Sequence, residues 1–126
     1  MRKLVYLLAL ALMVPVVTTA QSTWTENAKG SWKGLVVEAS CYRKLGADKA
    51  TAADHSACAL DCVKKGQPLA IVTDDDGVRL IIGDMSKDNY AKMTQWIGKR
   101  VAVTGKSSRD AFSSLYLDIS TIAGAK

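Results

Sequence analysis

The chain has 126 residues, 48% of them hydrophobic, and carries a net charge of +5 at pH 7. Without the leader described next, about 106 residues remain, which suit one domain and are too few for two. The lysines and arginines are scattered rather than gathered in a stripe, which argues against a nucleic-acid-binding face.

The N-terminal residues 1–20 are typical of a secretory signal peptide. Arg2 and Lys3 form a positive start, residues 4–17 form an almost unbroken apolar run, and small residues follow it. This run is shorter than the roughly 20 residues that a membrane-spanning helix needs. We therefore expect an exported protein without a membrane insertion, periplasmic or secreted, whose mature chain begins near Gln21.

The first strand is predicted at Trp32–Cys41, after a polar N-terminal arm at residues 21–31. Val37 and Cys41 fall on one face of this strand, because side chains alternate between faces with a period of two. Cys41 is therefore expected on the side that faces the core. The domain itself is predicted to cover residues 32–126.

A helical insert is predicted after this strand, from about Tyr42 to Gly66. Within it, residues 52–65 suit a helix, and Gly66 and Pro68 suit its end. This segment carries two of the three cysteines and the only histidine of the chain.

A β-hairpin is predicted next, with strands at 68–74 and 77–83. Three aspartates and a glycine join them, and an Asp-Gly pair between β-branched runs is a strong turn signal. A helix-loop-helix calcium loop that began at Asp74 would need Gly and Glu where Arg79 and Met85 stand. The acidic run is therefore interpreted as a turn.

A second helix is predicted at Ser86–Ile97, where Tyr90 and Met93 belong to a stripe with helical spacing that faces the core. Two further strands, at 100–106 and 114–122, complete the chain. The element order favours a mainly β fold, a small five-stranded OB-like Greek-key barrel with a helix between strands three and four. The Cys-bearing helical insert then lies between strands one and two, in a connection that OB folds use for ligands. The alternative is another small antiparallel barrel or sandwich.

The predicted site consists of Cys41, His55, Cys58 and Cys62. At 100° per residue, the last three fall within an arc of about 60° on the insert helix, so they project on one stripe. If Cys41 faces that stripe, the four form a Cys3His set that suits tetrahedral zinc, and the thiolates also suit copper(I).

Two other uses of the cysteines remain open. Disulfides can form in an exported protein, because the compartments outside the cytoplasm are oxidising. A bridge from Cys41 to Cys58 or Cys62 would leave one free thiol. Cys58 and Cys62 are one helical turn apart, with Cβ atoms about 5–6 Å from each other, which is too far for a bridge between them. A redox-active thiol beside His55 is the third interpretation.

Several segments together resemble a group of exported bacterial OB-like proteins of uncharacterised function. They are Cys41-Tyr42, the run His55–Cys62 (HSACALDC), Gly66 with Pro68, and Gly98–Gly105. The resemblance covers about Trp32 to Ile122, and its specific part is the pattern His-x-x-Cys-Ala-x-x-x-Cys. It implies the barrel, the cysteine cluster and a bacterial periplasmic or secreted setting, but no activity.

The sequence favours a binding module over an enzyme. The single His55 has no Ser-His-Asp setting, so no catalytic residue is assigned. The two hairpin strands lack the aromatic side chains on which OB folds stack bases, so nucleic acid is not expected as a partner. The expected partner is a protein or a small ligand, with zinc or copper as the candidate cofactor; a disulfide-stapled interaction domain without metal is the alternative.

Overall fold

The structure is a computed structural model that describes residues 28–74 and 77–126. The predicted signal peptide at 1–20 and the first part of the predicted arm, 21–27, lie outside the described residues. Residues 28–31, which were predicted to belong to the arm, form the beginning of the first strand.

The fold is mainly β, and five strands form one closed barrel, as predicted. The strands are β1 (Ala28–Glu38), β2 (Leu69–Thr73), β3 (Gly77–Ile82), β4 (Arg100–Arg109) and β5 (Leu115–Gly124). Around the barrel their order is β1-β2-β3-β5-β4. Neighbours are antiparallel except β3 and β5, which run parallel.

Strand β1 closes the barrel because it pairs with two neighbours. Its first part, Ala28–Leu35, pairs with β4, and its last part, Gly34–Glu38, pairs with β2. At the point of overlap the backbones approach so closely that a Cβ on Gly34 would collide with the Val72 carbonyl. The sequence meets this requirement with a glycine.

Short helices surround the barrel. The α-helices are α1 (Ala39–Leu45), α2 (Ala47–Ala50), α3 (Ser56–Lys64) and α4 (Lys87–Tyr90). Single 3-10 turns occur at Ala53–His55, Gly83–Ser86 and Thr94–Trp96. Within the described part of the chain, no helix is long and apolar enough to cross a membrane.

The barrel interior is filled by large aliphatic side chains that alternate along the strands. The fully buried ones include Leu69, Ile71, Ile81, Val101, Val103 and Leu117. Met93 lies in the same cluster, and Tyr90 and Trp96 pack against it. The predicted core-facing role of this aromatic stripe is therefore confirmed. The predicted hairpin is confirmed as well, with Thr73 paired to Gly77 at its turn.

The predicted end of the first strand and the predicted continuity of the second helix are wrong. Strand β1 does not reach Cys41; it ends at Glu38, and the chain turns at once into helix α1. The helix predicted at Ser86–Ile97 is not continuous, because Asp88, Asn89 and Tyr90 have left-handed backbone angles, with φ of 52°, 52° and 61°. Aspartate and asparagine tolerate this conformation better than most residues, so the segment folds as successive short turns.

Candidate functional site

Helix α1 places Cys41 in the connection between β1 and β2. Glu38 caps this helix: its carboxylate accepts hydrogen bonds from the backbone N–H of Ser40 at 2.8 Å and of Cys41 at 2.7 Å. The backbone N–H of Ala39, the first residue of the helix, donates to the carbonyl of Pro68 at 3.0 Å. This bond ties the helix to the start of β2. Cys41 is thus held one turn into a helix, with 9% of its surface exposed.

Helix α3 carries the other cysteines. The predicted helix at 52–65 is divided into a 3-10 turn and α3, and His55 is the last residue of that turn. The end of α3 is a Schellman motif: Gly66, with φ of 88°, donates to Val63, and Gln67 donates to the carbonyl of Cys62 at 3.0 Å. The predicted glycine stop is therefore confirmed.

The structure brings three of the predicted ligands together at one point. The Sγ atoms of Cys41 and Cys58 and a ring nitrogen of His55 all lie within 4.8 Å of one another. Cys41 is buried, His55 is half-buried and Cys58 is exposed, so the cluster extends from the interior to the surface. These groups are positioned as candidate metal ligands.

The fourth predicted ligand lies on the other side of Cys41. The Cys62 sulfur, the Cys41 sulfur and a carboxylate oxygen of Glu38 form a second group, again all within 4.8 Å of one another. Among the described residues, no group with that spacing holds all four predicted ligands. The site is therefore two overlapping sets that share Cys41.

Glu38 is the member of the site that sequence reasoning missed. The sequence carries only a weak signal for it, because Ser, Thr, Asp and Asn are the preferred helix N-cap residues and Glu is not, and Glu38 also fits the alternation of the strand. Glu38 is completely buried. Burial raises the pKa of its carboxyl, but hydrogen bonds from the Cys41 thiol and from the backbone of Ser40 and Cys41 outweigh this and lower the pKa below its usual value.

The same arrangement makes Cys41 a very weak acid. Burial, the hydrogen bond to the Glu38 carboxylate and the charge of that carboxylate raise the pKa of the Cys41 thiol to about 12, with smaller contributions from Cys62 and Cys58. A free Cys41 is consequently a thiol rather than a thiolate at neutral pH, and a thiol is a poor nucleophile. This disfavours Cys41 as the attacking group of a redox site.

His55 supplies a second indication of a ligand. Its Nε2 atom is buried and has no hydrogen-bond partner among the described residues. Leaving a buried polar group without a partner costs about 1–3 kcal/mol. A cation bound to this nitrogen and to the two neighbouring sulfurs would remove this penalty.

A pocket of about 260 Å³ opens onto the second set. Its lining residues are Glu38, Ser40, Cys41, Lys44, Cys62, Lys65 and Gln67. Across it, the Ser40 hydroxyl donates to the side chain of Gln67 at 3.1 Å, which joins helix α1 to the end of α3. The pocket therefore gives a metal ion or an oxidant a route to Cys41 and Cys62.

All three cysteines are free thiols in this structure. Comparisons of the chain with models of known protein families, with curated proteins and with solved structures found no match. The function must therefore be inferred from the chemistry of the cluster and its surroundings.

Proposed function

We propose that the chain is an exported, periplasmic or secreted binding module whose Cys/His cluster holds one zinc or copper(I) ion. The observation that carries the proposal is the group formed by Cys41, His55 and Cys58, with ligand atoms within 4.8 Å of one another. Two thiolates and an imidazole are the donors that both metals prefer.

The spacing of these atoms is close to what a bound ion needs. With metal–sulfur bonds of about 2.3 Å and metal–nitrogen bonds of about 2.0 Å, tetrahedral ligand atoms lie roughly 3.5–3.8 Å apart. The observed upper limit of 4.8 Å is about 1 Å larger. Small side-chain rotations would close that difference without moving the helices.

Cys62 is the proposed fourth ligand. It lies within 4.8 Å of Cys41, and one helical turn from Cys58 along α3, so a change of its rotamer would turn the sulfur toward the same ion. Zinc favours this complete Cys3His set, whereas copper(I) accepts the three-ligand group. Glu38 would hold Cys41 in place through the hydrogen bond from the Cys41 backbone N–H, because a metal-bound thiolate has no proton left to donate to the carboxylate.

The fold that presents this site is proposed to be OB-like. The strand order around the barrel, the parallel pairing of β3 with β5 and the position of the cluster between β1 and β2 support this assignment. The proposal includes no catalytic residue. It also includes no nucleic-acid partner, because β2 and β3 lack aromatic side chains.

Metal content is the direct test. The protein is purified from an oxidising compartment, reduced gently and measured by native mass spectrometry and elemental analysis. We expect one equivalent of zinc or copper, lost in Cys41→Ser and in Cys58→Ser. Cys62→Ser distinguishes a four-ligand site from a three-ligand site, because it should lower the affinity for zinc more than the affinity for copper(I).

Ser56→Ala is the matched control, since Ser56 lies beside His55 but bonds only to the carbonyl of Ala53. It should retain the metal. Fully reduced, folded protein that takes up neither metal would refute the proposal. Metal uptake by Cys41→Ser equal to that of the natural chain would refute it as well.

A disulfide-stapled interaction domain is the second candidate, and one observation favours it. The Cys41 sulfur lies within 4.8 Å of both other sulfurs, so either bridge can form with a modest rotation. This function predicts one free thiol before reduction and three afterwards, with no metal in either state. Three free thiols in protein from an oxidising compartment would argue against it.

A further inference from the structure

A groove on the opposite side of helix α1 from the cysteine cluster has no role in the proposed metal site. It has a volume of about 290 Å³ and is mainly apolar. The residues that line it are Ala39, Tyr42, Arg43, Val78, Leu80, Ser113, Ser114 and Leu115. No cysteine or histidine is among them, and the only charged group is Arg43. We call it the α1 groove.

The loop beside this groove holds Phe112 out into solvent. Phe112 is 90% exposed, an unusual state for so large an apolar side chain. The loop is nevertheless well fixed, because Asp110 accepts hydrogen bonds from the backbone of Phe112 and Ser114, both at 2.9 Å, and from the hydroxyl of Tyr116 at 2.8 Å. The loop therefore holds the backbone of Phe112 in a defined position while its side chain stays in solvent.

The conformation of the loop also has a cost. Ser113, the next residue, has a φ of 65°, a left-handed conformation that side-chain-bearing residues seldom adopt. Among the described residues, Leu45 and Phe112 are the only exposed large apolar side chains, and Leu45 is only 42% exposed. Leu45 lies two residues after Arg43 on α1, so it points away from the groove and is not among its lining residues; Phe112 is the exposed apolar side chain beside the groove.

We propose that the α1 groove and Phe112 form the interface of a symmetric dimer, in which Phe112 of each copy enters the groove of the other. In a twofold dimer the same surface of each copy contacts the other, so each surface must carry both the inserted side chain and the groove that receives it. Phe112 and the α1 groove lie next to each other on one surface and meet this requirement. The groove is large enough, since a cavity of about 150 Å³ already holds a benzene ring.

The chemistry of the groove suits the ring. Tyr42, Leu80 and Leu115 offer apolar and aromatic contacts, and Arg43 offers a guanidinium to the face of the incoming ring. Aromatic residues, Phe included, are enriched in the buried cores of protein interfaces. Two such anchors per dimer would be related by the symmetry axis.

Molar mass in solution, measured by light scattering and sedimentation over a range of concentrations, tests the proposal. We expect a monomer–dimer equilibrium, weakened at least about 100-fold by Phe112→Ser, since two buried anchors are lost at once. Val78→Arg, which fills the groove, should have a similar effect. Thr121→Arg, an exposed position on β5 outside the groove, is the matched control and should dimerise normally.

A mixture of the two defective variants gives a more specific result. Phe112→Ser retains the groove and Val78→Arg retains the anchor, so together they should form a one-to-one dimer that neither forms alone. A chain that stays monomeric at all concentrations would overturn the proposal, as would a dimer that survives Phe112→Ser or a mixture that stays monomeric. All of these measurements are made on metal-free, reduced protein, so this proposal and the proposed function can fail separately.

Discussion

The barrel wall and the insert between β1 and β2 are stabilised in different ways. The wall contributes large buried side chains such as Ile71, Ile81 and Leu117. The insert contributes mainly small buried residues, such as Ala50 and Ala59, and is positioned by hydrogen bonds at the ends of α1 and α3. Packing is insensitive to pH and ligands, whereas polar caps and thiols are not, so we expect the insert to respond to conditions that leave the wall unchanged.

The largest effect should come from the wall. Leu117→Ala removes a fully buried side chain from the barrel interior and should lower the free energy of unfolding by about 2–5 kcal/mol. Urea denaturation of the metal-free, reduced protein measures this. Cys58→Ser, an exposed change in the insert, is the comparison, and an equal loss in both would contradict the distinction between wall and insert.

The closure of the barrel at Gly34 should be the next most sensitive point. Gly34→Ala would drive a Cβ into the backbone of Val72 and should cost about 2 kcal/mol or more, because backbone atoms cannot move aside cheaply. Gly30→Ala in the same strand is the matched control. Its Cβ would come within 2.9 Å of the Trp32 ring alone, and a side chain can shift. Similar losses for the two variants would show that the close approach at Gly34 does not matter.

The cap of helix α1 should give a smaller, pH-dependent effect. Glu38→Gln leaves one of two backbone N–H groups without an acceptor and should cost about 1–2 kcal/mol in metal-free protein at neutral pH. Because the folded-state pKa of Glu38 lies below its usual value of 4.5, its stabilisation is present above about pH 4.5 and is lost as the pH falls.

Acid titration of stability therefore separates this variant from the natural chain. The difference between the two should shrink as the pH is lowered below 4.5, whereas at neutral pH Asp48→Asn, at an exposed position in α2, should cost less than Glu38→Gln. A constant difference at all pH values would mean that Glu38 acts through shape rather than charge.

The smallest effect is expected at the surface of the wall. Arg100 forms a two-pronged ion pair with Asp74, and both side chains are substantially exposed. Exposed pairs of this kind contribute little because water and salt screen them. Asp74→Asn should therefore leave the unfolding midpoint unchanged within error, and a clear decrease would show that this contact helps to close the barrel.

The parts of the fold that depend on local pattern were predictable from the sequence. The hairpin from Leu69 to Ile82 follows from alternation and an Asp-Gly turn, and the C-terminal end of α3 follows from Gly66. The proximity of His55 and Cys58 depends on helical spacing within a few residues, which sequence also supplies.

The parts that failed depend on contacts between distant segments. The end of β1 is set by the Glu38 cap and by the bond from Ala39 to Pro68, and neither is visible in the period of the strand. The division of the cluster into two sets depends on how α1 is rotated against α3. The break at Asp88 and Asn89 overrides an apolar spacing that by itself indicates a continuous helix.

Helix α1 has only seven residues, and its neighbouring side chains serve opposite surfaces. Cys41 points into the sulfur cluster, while Tyr42 and Arg43 line the groove. A restraint on one side of so short a helix can therefore shift side chains on the other side. Whatever factor metal binding applies to self-association, self-association must apply to metal affinity, because thermodynamic linkage between two sites is reciprocal.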